Sequence, residues 1–439
     1  LANSAVLWAC RKFKSRSRGG NKRGPAMKVA VVGSGISGLA SAYYLQRFSE
    51  VTIFEAESRL GGHTDTHQID CADKTFHVDT GFIVFNQHNY PKFCHWLGEL
   101  GIQWQSSHMS FSVRDTKTDL EYGTGGIDAF FAQRRNIFSP AHYRMFLDVY
   151  RFYRRARHDL QTGSVQGSLK DYLAQESFGE RFVPFHLGPM CGALWSQEQN
   201  EAISASAAHV LEFMGNHRML QLIGRPQWCT VSGGSGAYLS AFERQFLGRI
   251  QLGAPVRSIR RTGSSVHVID DNGCQEFDAM ILCVHSDQAL ALLERPTNLE
   301  IQILGAIRYG SNRVVLHSDA SFMPYRRRTW SSWNAVVDPE SSSCSVTYWM
   351  NRLQNLVGHP FFVTLNPSTE PASTWVERNY AHPIFDGKAK AAQKQKHKIN
   401  GLKRVFYAGA YWGWGFHEDG IRSAIDSVKH LRGASTSYA

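Results

Sequence analysis

The sequence predicts an α/β fold with two lobes, and three observations lead to that prediction. A short apolar run at residues 27–32 is followed at once by a glycine-rich turn and an apolar helix, which is how a parallel α/β unit begins. Similar apolar runs return at residues 277–284 and 405–409, far along the chain. The chain has 439 residues, 43% hydrophobic and 19% charged, so it can bury more than one core. We expect a parallel-sheet domain built from discontinuous segments, and a substrate lobe of mixed sheet and helices.

The first strand, Met27–Val32, leads into a turn that suits a dinucleotide. Gly33 permits the tight turn, Gly35 lets the backbone approach a pyrophosphate, and Gly38 lets the helix pack closely on the strand. The amino terminus of the helix offers free N–H groups and a positive dipole end to phosphates. The next strand ends in Glu55, close to the expected spacing of about 20 residues for an acid that binds the ribose hydroxyls. This combination predicts a Rossmann-like domain.

The residues after Glu55 resemble a motif of a known superfamily. Residues 55–63 read Glu-Ala-Glu-Ser-Arg-Leu-Gly-Gly-His. This is similar to the E-x(3)-R-x-G-G segment of the flavin amine oxidase, protoporphyrinogen oxidase and phytoene desaturase superfamily. The resemblance implies FAD rather than NAD, with the paired glycines against its pyrophosphate. The cofactor-binding residues implied in this part of the chain are Gly33, Gly35, Ile36, Ser37, Gly38, Glu55, Ala56, Arg59, Gly61, Gly62 and His63.

Two later segments resemble other parts of the same superfamily. Residues 253–284 read as strands of a hairpin followed by a buried strand, and the resemblance implies that Val256 meets adenine through its backbone. Residues 405–420 resemble the C-terminal flavin motif, a strand followed by a helix that faces the pyrimidine edge of the flavin. The flavin contacts implied there are Gly409, Gly420 and Ile421.

A narrower resemblance is to a branch of predicted NAD/FAD-binding proteins. It covers residues 61–64, 79–86, 315–319, 330–334, 348–354 and 409–420. Bacterial members of that branch are often encoded beside cyclopropane-fatty-acid synthase-like methyltransferases, which suggests a lipid-like substrate. Ala410 stands where the superfamily usually has an acid, so a side-chain contact to the flavin ribityl is lost. No cysteine follows Cys344, so a thioether from a late cysteine is excluded and we predict non-covalent FAD.

The candidates for catalysis are His417, Arg313 and Trp412. His417, just before the flavin-facing helix, could act as a base or proton relay, whereas Asp419 is equally suited to capping that helix. Arg313 is the cation nearest the position of the superfamily's flavin-facing lysine. It would stay charged, repel a protonated amine, and could hold a carboxylate or phosphate. Trp412 and Trp414 are flanked by glycines and could wall an apolar channel.

Together these features predict an FAD-dependent oxidoreductase that transfers a hydride from an apolar, lipid-like small molecule to flavin N5. The electron acceptor, oxygen or another compound, stays open. Three alternatives stay open as well: an amine oxidase using FAD and oxygen, a redox-neutral flavin isomerase, and a non-catalytic FAD-holding partner of a lipid enzyme.

Other classes of protein find little support in the sequence. The 19 histidines include no HExxH motif and no paired Cys/His cluster, so we expect no metal site. A GxSxG hydrolase elbow is missing as well, and no run of 18 apolar residues could span a membrane. The net charge is +11, but seven Lys/Arg and no acid lie in residues 1–26. The rest is nearly balanced, so nucleic-acid binding is not expected.

We expect residues 1–26 to be a basic leader outside the fold, either an organelle transit peptide or a disordered or non-native tail. Eight cysteines without a CxxC pair predict reduced thiols in a reducing compartment, the cytoplasm or an organelle. The predicted FAD-binding domain comprises residues 27–90, 225–295 and 400–435, and the predicted substrate lobe residues 91–224 and 296–399.

A mostly helical, aromatic segment is expected over residues 127–160. Tyr143, Phe146, Tyr150 and Tyr153 fall on one face of a helix, and five arginines crowd the same element. Two interpretations stay open. The aromatic face packs on the core with a solvated basic back, or the helix lies on an anionic membrane surface as a peripheral contact.

Overall fold

We describe residues 26–71, 73–195, 203–338 and 343–438 of a computed structural model. Residues 1–25 of the predicted leader lie outside the described residues. The helices are α1 (Ile36–Leu45), α2 (Pro91–Glu99), α3 (Ile127–Phe130), α4 (Pro140–Thr162), α5 (Leu169–Ala174), α6 (Gly188–Trp195), α7 (Ala207–Asn216), α8 (Ala237–Gln245), α9 (Ser286–Leu292), α10 (Asn298–Leu304), α11 (Met350–Leu353), α12 (Gly387–Gln393) and α13 (His417–Tyr438).

The strands follow in chain order. They are β1 (Met27–Val32), β2 (Ser49–Phe54), β3 (Thr66–Cys71), β4 (Lys74–Asp79), β5 (Phe85–Asn86), β6 (Trp104–Ser107), β7 (Phe111–Asp115), β8 (Glu121–Gly123), β9 (Trp228–Val231), β10 (Arg249–Gln251), β11 (Ser258–Arg261), β12 (Val266–Asp270), β13 (Gly273–Phe277), β14 (Ala279–Leu282), β15 (Arg308–His317), β16 (Trp333–Asp338), β17 (Ser343–Trp349), β18 (Phe362–Leu365), β19 (Thr374–Ile384) and β20 (Val405–Tyr407).

Five strands form a parallel sheet in the order β10-β2-β1-β14-β20. The central strand β1 buries four consecutive apolar residues, Val29 to Val32. Such a run is typical of a parallel strand that is covered on both faces. Val29 and Val31 face a core that contains α1, α2, α8 and α13, whereas Ala30 and Val32 face a second core beneath β11–β13, α9 and α10. The predicted α/β fold with discontinuous segments is confirmed.

The carboxyl ends of the parallel strands meet at one edge of the sheet. There Gly33 follows β1, Glu55 follows β2, Cys283 follows β14, and Gly409 lies just after β20. In open α/β sheets this edge is where ligands bind, because the connections diverge on either side of it. The domain boundaries in the sequence remain a prediction, although α2 packs into the same core as α1.

The second lobe is built on a seven-stranded sheet in the order β19-β15-β18-β17-β16-β7-β8. Its neighbours are antiparallel except for β16 and β7. Helices α4 to α7 supply a separate core around Phe152 and Phe182. This lobe adjoins the carboxyl edge of the parallel sheet, and together they enclose the candidate site described below.

Helix α4 does not bury the aromatic face that its sequence suggested. Tyr143, Phe146 and Tyr150 are each nearly half exposed, and only Tyr153 is buried. The helix instead buries a face that includes Met145, Val149, Phe152 and Ala156. The interpretation of the aromatic stripe as a core face is therefore wrong for three of its four residues. Apolar side chains lie on both sides of this helix, so periodicity alone could not tell which side is inside.

Candidate active site

A cavity of about 2180 Å³ extends from the carboxyl edge of the parallel sheet into the second lobe. Ligand pockets usually measure about 300–1,000 Å³, so this one has room for more than one ligand. At one end the cavity is lined by the glycine-rich turn after β1, and at the other by aromatic residues of α3 and α4. We call these the nucleotide end and the distal end.

The glycine-rich turn forms the floor of the nucleotide end. Gly33 adopts φ +94°, which favours glycine. A Cβ on Gly38 would lie 1.8 Å from the Gly33 carbonyl oxygen, so this glycine permits close packing of α1 on the turn. A Cβ on Gly35, by contrast, would meet no atom within 4 Å. No side chain caps α1 at Gly35, so the amino terminus of the helix is available to an anion.

Glu55 lies beside that turn, as predicted. Its carboxylate accepts hydrogen bonds from the Ser34 backbone N–H (2.8 Å), the Ser34 hydroxyl (2.6 Å) and the Glu57 backbone N–H (3.0 Å). These bonds fix the carboxylate at the cavity wall. A carboxylate has about four acceptor sites, so Glu55 retains capacity for a ribose hydroxyl.

The double-glycine segment packs directly against the first turn. The Gly61 N–H donates to the Ser34 carbonyl oxygen (3.1 Å), and a Cβ on Gly62 would lie 3.3 Å from Gly35 Cα. Arg59 donates to the carbonyl oxygens of Gly62 (2.9 Å) and Thr64 (3.0 Å). Arg59 therefore braces this loop. Ala56, Arg59, Gly61 and Gly62 line the cavity, and so do Ile36, Ser37 and Val256.

His417 lies in the cavity wall at the start of α13. Its ring stacks on Phe82 with 3.6 Å between the centroids, and its Nε2 lies 3.2 Å from the Thr64 hydroxyl and 3.1 Å from the Tyr238 hydroxyl. Burial, assisted by nearby His63, lowers the pKa of His417 to about 3. The imidazole is therefore neutral at physiological pH, and two hydroxyls fix its orientation.

The two acids after His417 serve the backbone. Glu418 accepts hydrogen bonds from the N–H groups of Lys92 (2.9 Å) and Phe93 (3.0 Å) at the start of α2. Asp419 accepts from the Trp414 and Phe416 N–H groups at 2.9 Å and 3.2 Å. The alternative that Asp419 acts as a cap is thus the better description of its contacts.

Several predicted site residues lie away from the cavity wall. Gly420 packs against α1, because a Cβ there would lie 2.7 Å from Ile36 Cγ2, and Ile421 is wholly buried in the same core. Both position α13. Gly409 and Ala410 do line the cavity, although the Gly409 N–H is already donated to the Ser423 hydroxyl at 2.9 Å.

Arg313 does not reach the cavity, which corrects its predicted placement. Its guanidinium forms ion pairs with Glu370 (2.7 Å) and Glu377 (2.9 Å). Successive side chains of a strand point to opposite faces, and it is the neighbouring Asn312 that points toward the site, donating to His382 Nδ1 at 3.1 Å. Arg313 therefore has no contact with the space where a substrate would react.

Trp412 also lies outside the cavity wall. Its ring packs 4.9 Å from Tyr411, with the Lys396 ammonium 5.6 Å from its centroid. Trp414 does line the cavity, and its ring centroid lies 5.0 Å from His209. Of the two tryptophans expected to wall a channel, only Trp414 is placed to do so.

The site contains a cluster of histidines, of which the sequence predicted only His63 as a site residue. His63, His285 and His382 all line the cavity, with His63 centroids 6.0 Å and 5.3 Å from the other two. Burial is the main cause that lowers the pKa of His63, to about 3. Its Nε2 is buried without a partner in the described part of the chain, so it is available to a polar group of a ligand.

The tautomer of His382 is fixed by a chain of amides. The Arg313 backbone N–H donates to Asn366 Oδ1 (2.9 Å), and Asn366 Nδ2 donates to Asn312 Oδ1 (2.9 Å). Asn312 then donates its own Nδ2–H to His382 Nδ1, so the ring proton resides on Nε2. His63, His285 and His382 come from widely separated segments of the chain, and no local sequence pattern predicts that they lie close together.

Within the described ranges, no group of three or more His, Cys, Asp or Glu is arranged to hold a metal ion.

A family model matches most of these elements. The model described as flavin containing amine oxidoreductase matches residues 36–340, well over half of the chain. The chain belongs to this family. It is therefore an oxidoreductase of the flavin amine oxidase type, and the predicted superfamily resemblance is confirmed.

Individual relatives agree with the family assignment. AofH of Mycobacterium tuberculosis, named as a flavin-containing monoamine oxidase, is 27% identical over 323 residues, or 71% of this chain and 68% of AofH. Cyclohexylamine oxidase from Brevibacterium oxydans superimposes with a TM-score of 0.66 at 14% identity, over 94% of this chain and 100% of its own. The CLA-producing fatty acid isomerase from P. acnes gives 0.63 at 14% identity, over 92% and 98%. These structures establish the fold alone.

The nucleotide end fits the flavin that the family implies. The space over Gly35 would be filled by a Cβ, the amino terminus of α1 has no side-chain cap, and Glu55 is fixed beside both. These features suit the pyrophosphate and ribose of a dinucleotide such as FAD. The unpartnered Nε2 of His63 is a further polar atom that a ligand would satisfy.

Proposed function

We propose that the protein is an FAD-dependent oxidoreductase that removes a hydride from an apolar, lipid-like substrate. The observation that carries this proposal is the charge of the cavity. Among the described residues that line it, the acidic ones are Glu55, Glu57 and Asp287, and each lies just after a strand of the parallel sheet, at the nucleotide end. Within the described ranges, the distal end thus offers no carboxylate to attract the ammonium group of an amine.

The cationic groups of the cavity point to the same class of substrate. Arg59 and Arg378 are both paired with Asp65, at 3.3 Å and 2.8 Å. Arg218 and Arg225 also line the cavity, and neither has a carboxylate within 4.0 Å among the described residues. The net field at the distal end is therefore positive, which disfavours a protonated amine and favours a neutral or anionic molecule.

The distal walls are suited to an apolar chain. They include Phe111, Met145, Phe146, Val149 and Met190. Burying a CH₂ group against such a surface contributes about 0.8 kcal/mol, so a long acyl chain would gain more affinity here than a short polar substrate. Unbranched methionine side chains also adapt to differently shaped chains.

Bound FAD would supply hydride-accepting chemistry that side chains lack. The chain's own part is to bind, orient and shield. Glu55 and the amino terminus of α1 would hold the nucleotide, Trp414 and Phe82 exclude water from their part of the cavity, and the Thr64 and Tyr238 hydroxyls orient the neutral ring of His417. The absence of an ionised base among these groups is compatible with removal of a hydride from carbon.

We also propose that FAD is held without a covalent bond. Cys283 is the cavity-lining cysteine of the described chain, and burial raises the pKa of its thiol to about 12. Its Sγ lies 3.7 Å from the Ser41 hydroxyl, on the α1 side. A thiol of this kind is almost wholly protonated at neutral pH and is a poor nucleophile.

We propose, in addition, that the mouth of the cavity rests on an anionic lipid surface. Ile127, Phe138 and Ile223 are 82%, 87% and 91% exposed. Ile127 lines the cavity, Phe138 lies next to the start of α4, and Ile223 follows the cavity-lining Leu222. Exposed apolar groups beside a cavity, with the arginine-rich helix α4 beginning two residues after Phe138, suit shallow insertion into a bilayer. Within the described residues, no helix is long and apolar enough to cross a membrane.

The substrate class is tested by anaerobic stopped-flow mixing of the purified holoprotein with two matched panels. One contains fatty acids and their methyl esters, and the other primary amines and diamines of the same carbon number. Loss of the oxidised flavin band with a lipid, at least tenfold faster than with the matched amine, is expected. Equal or faster bleaching by the amines would overturn the proposal and favour amine oxidation, the second candidate, which the names of the family and of AofH support.

Membrane contact is tested by sedimentation with vesicles. Phosphatidylserine vesicles should bring down the protein at low salt, and phosphatidylcholine vesicles should do so less. Exchange of Phe138 and Ile223 for serine should abolish sedimentation, whereas serine at exposed Leu247, on the parallel-sheet domain, should not. Sedimentation that is unaffected by the first pair of substitutions would refute this contact.

A further inference from the structure

A string of polar residues crosses the otherwise apolar distal end. The Tyr122 hydroxyl lies 2.8 Å from the Phe185 carbonyl oxygen and 2.8 Å from His186 Nδ1. The Tyr153 hydroxyl lies 3.5 Å from His186 Nε2, and the charge of nearby Arg225 opposes the rise that burial causes in the pKa of Tyr153. The tyrosines and the histidine are all less than 5% exposed. Tyr122, Tyr153, His186 and Arg225 all line the cavity.

The donor and the acceptor of each hydrogen bond in this string can be assigned from the groups at its two ends. The Tyr153 hydroxyl donates its proton to His186 Nε2, because on the other side of the ring the Tyr122 hydroxyl already donates to the Phe185 carbonyl and can only accept from the imidazole. The His186 Nδ1–H then donates to the Tyr122 oxygen, and Tyr122 donates to the Phe185 carbonyl. Burial, assisted by the charge of Arg225, lowers the pKa of His186 to about 4, so the imidazole is neutral as this chain requires. Every buried member is satisfied.

The guanidinium at the end of this string retains unused donors. Arg225 donates its Nε–H to the Gln221 carbonyl oxygen at 2.6 Å, and another donor faces Tyr153. An arginine has five N–H donors in a rigid fork. No carboxylate among the described residues lies within ion-pairing distance of it. Arg225 is thus a solvent-exposed arginine at the cavity wall, held at its Nε–H, whose other N–H donors can reach a ligand.

We infer that Arg225 and the Tyr153 hydroxyl form an anchoring site for the carboxylate of a long-chain acid. The fork of an arginine matches the two oxygens of a carboxylate, and such charge-assisted bonds are among the strongest in proteins. Arg218, also at the cavity wall, adds positive charge nearby, although its Nε–H bonds His88 at 3.1 Å. An acyl chain anchored here would run along Phe146, Val149 and Met190 toward the nucleotide end. This inference rests on the proposed function, whose substrate class it narrows to carboxylic acids.

The test measures binding and flavin reduction separately, in the holoprotein. Binding is followed with cis-parinaric acid, a fluorescent 18-carbon acid, and with its methyl ester. Reduction is followed by anaerobic bleaching of the flavin with oleic acid and with methyl oleate. The variants are Arg225→Gln, Arg225→Lys and Tyr153→Phe, with Arg154→Gln as the matched control. Arg154 is an exposed arginine on α4 that does not line the cavity.

We expect the wild type to bind the acid about 10- to 100-fold more tightly than the ester, as loss of a charged hydrogen bond implies. Arg225→Gln should remove that difference, Arg225→Lys should restore part of it, Tyr153→Phe should reduce it, and Arg154→Gln should leave it unchanged. The flavin absorbance at purification, together with unchanged ester binding, reports that each variant is folded. Equal binding of acid and ester by the wild type, or an undiminished preference in Arg225→Gln, would overturn the anchor.

The two proposals fail in different ways. If acids bind through Arg225 but no lipid bleaches the flavin, the proposed oxidation is wrong while the anchor stands. If the ester bleaches the flavin as fast as the acid in every variant, lipid oxidation stands and the anchor is wrong.

Discussion

Replacing Gly35 with valine should separate cofactor binding from folding. Gly35 has φ −63° and ψ 179°, a backbone conformation open to any residue, and a Cβ there would touch nothing within 4 Å. Exchanging a glycine at a compatible position stabilises the folded state by about 0.4–1 kcal/mol through the unfolded chain. Valine caps a helix less well than glycine, which costs a similar amount. The free energy of unfolding of the apo-protein should therefore change by less than about 1 kcal/mol.

The cofactor should respond very differently. The added side chain would fill the space over the amino terminus of α1 in which a pyrophosphate would lie. A ligand present at 100 times its Kd stabilises the folded protein by about 2.7 kcal/mol. FAD at that concentration should give the wild type this increment and give Gly35→Val none. Urea unfolding with and without FAD, together with the flavin absorbance of the purified protein, measures both quantities.

Gly38→Ala is the matched comparison, because it adds a methyl group to the same turn at the point where α1 packs against it. A Cβ at Gly38 would lie 1.8 Å from the Gly33 carbonyl oxygen, so backbone must move, and overpacking of this kind costs about 3 kcal/mol. We expect Gly38→Ala to destabilise the apo-protein and Gly35→Val to leave it intact. A yellow Gly35→Val protein with a wild-type response to FAD would refute the placement of the cofactor at this turn.

Three further predictions concern acid, release of the cofactor and the amino terminus. Burial holds the pKa of His417 at about 3, below the unfolded value of about 6.5, so the free energy of unfolding should be highest above pH 6.5 and should decrease as the pH falls toward 3. Urea unfolding at pH 7.5 and 5.0 should show a smaller decrease for His417→Gln than for the wild type, and an equal decrease would contradict this. Acid precipitation should release FAD into the supernatant, because Cys283 is a protonated, buried thiol, and colour retained in the pellet would reveal a covalent bond. Removing residues 1–26 should leave the flavin content unchanged, since β1 begins at Met27, and loss of flavin from the shortened protein would be evidence against that.

The nucleotide end could be predicted because its information is local. Gly33, Gly35, Gly38 and Glu55 lie within one short stretch, and each answers a requirement of backbone geometry or charge that depends on its immediate neighbours. The structure places all four around the same turn. A motif of this type predicts its own local fold, because the residues that would bind the nucleotide are the same residues that form the strand, the turn and the helix.

The distal end could not be predicted in the same way. Arg313 and Asn312 are adjacent on β15, and the sequence contains nothing that says which of them faces the site. A shift of one residue in a strand exchanges its faces, so a resemblance that is uncertain by one position places the wrong side chain. Tyr153, His186 and Arg225 likewise lie close together although they come from separate segments of the chain. Contacts of this kind arise from tertiary packing.

The charge of the cavity provides a physical reason why a member of an amine oxidase family would act on another substrate. An amine arrives protonated at neutral pH, and a carboxylate in the cavity would attract it and stabilise its charged form. Here the acids Glu55, Glu57 and Asp287 all belong to the nucleotide end, and the imidazole of His417 is kept neutral by burial. Among the described residues of the distal end, Arg218 and Arg225 carry positive charge without a carboxylate partner. Under the proposed function, a carboxylate gains there what an ammonium group would lose, and the comparison of acid, ester and amine substrates tests this directly.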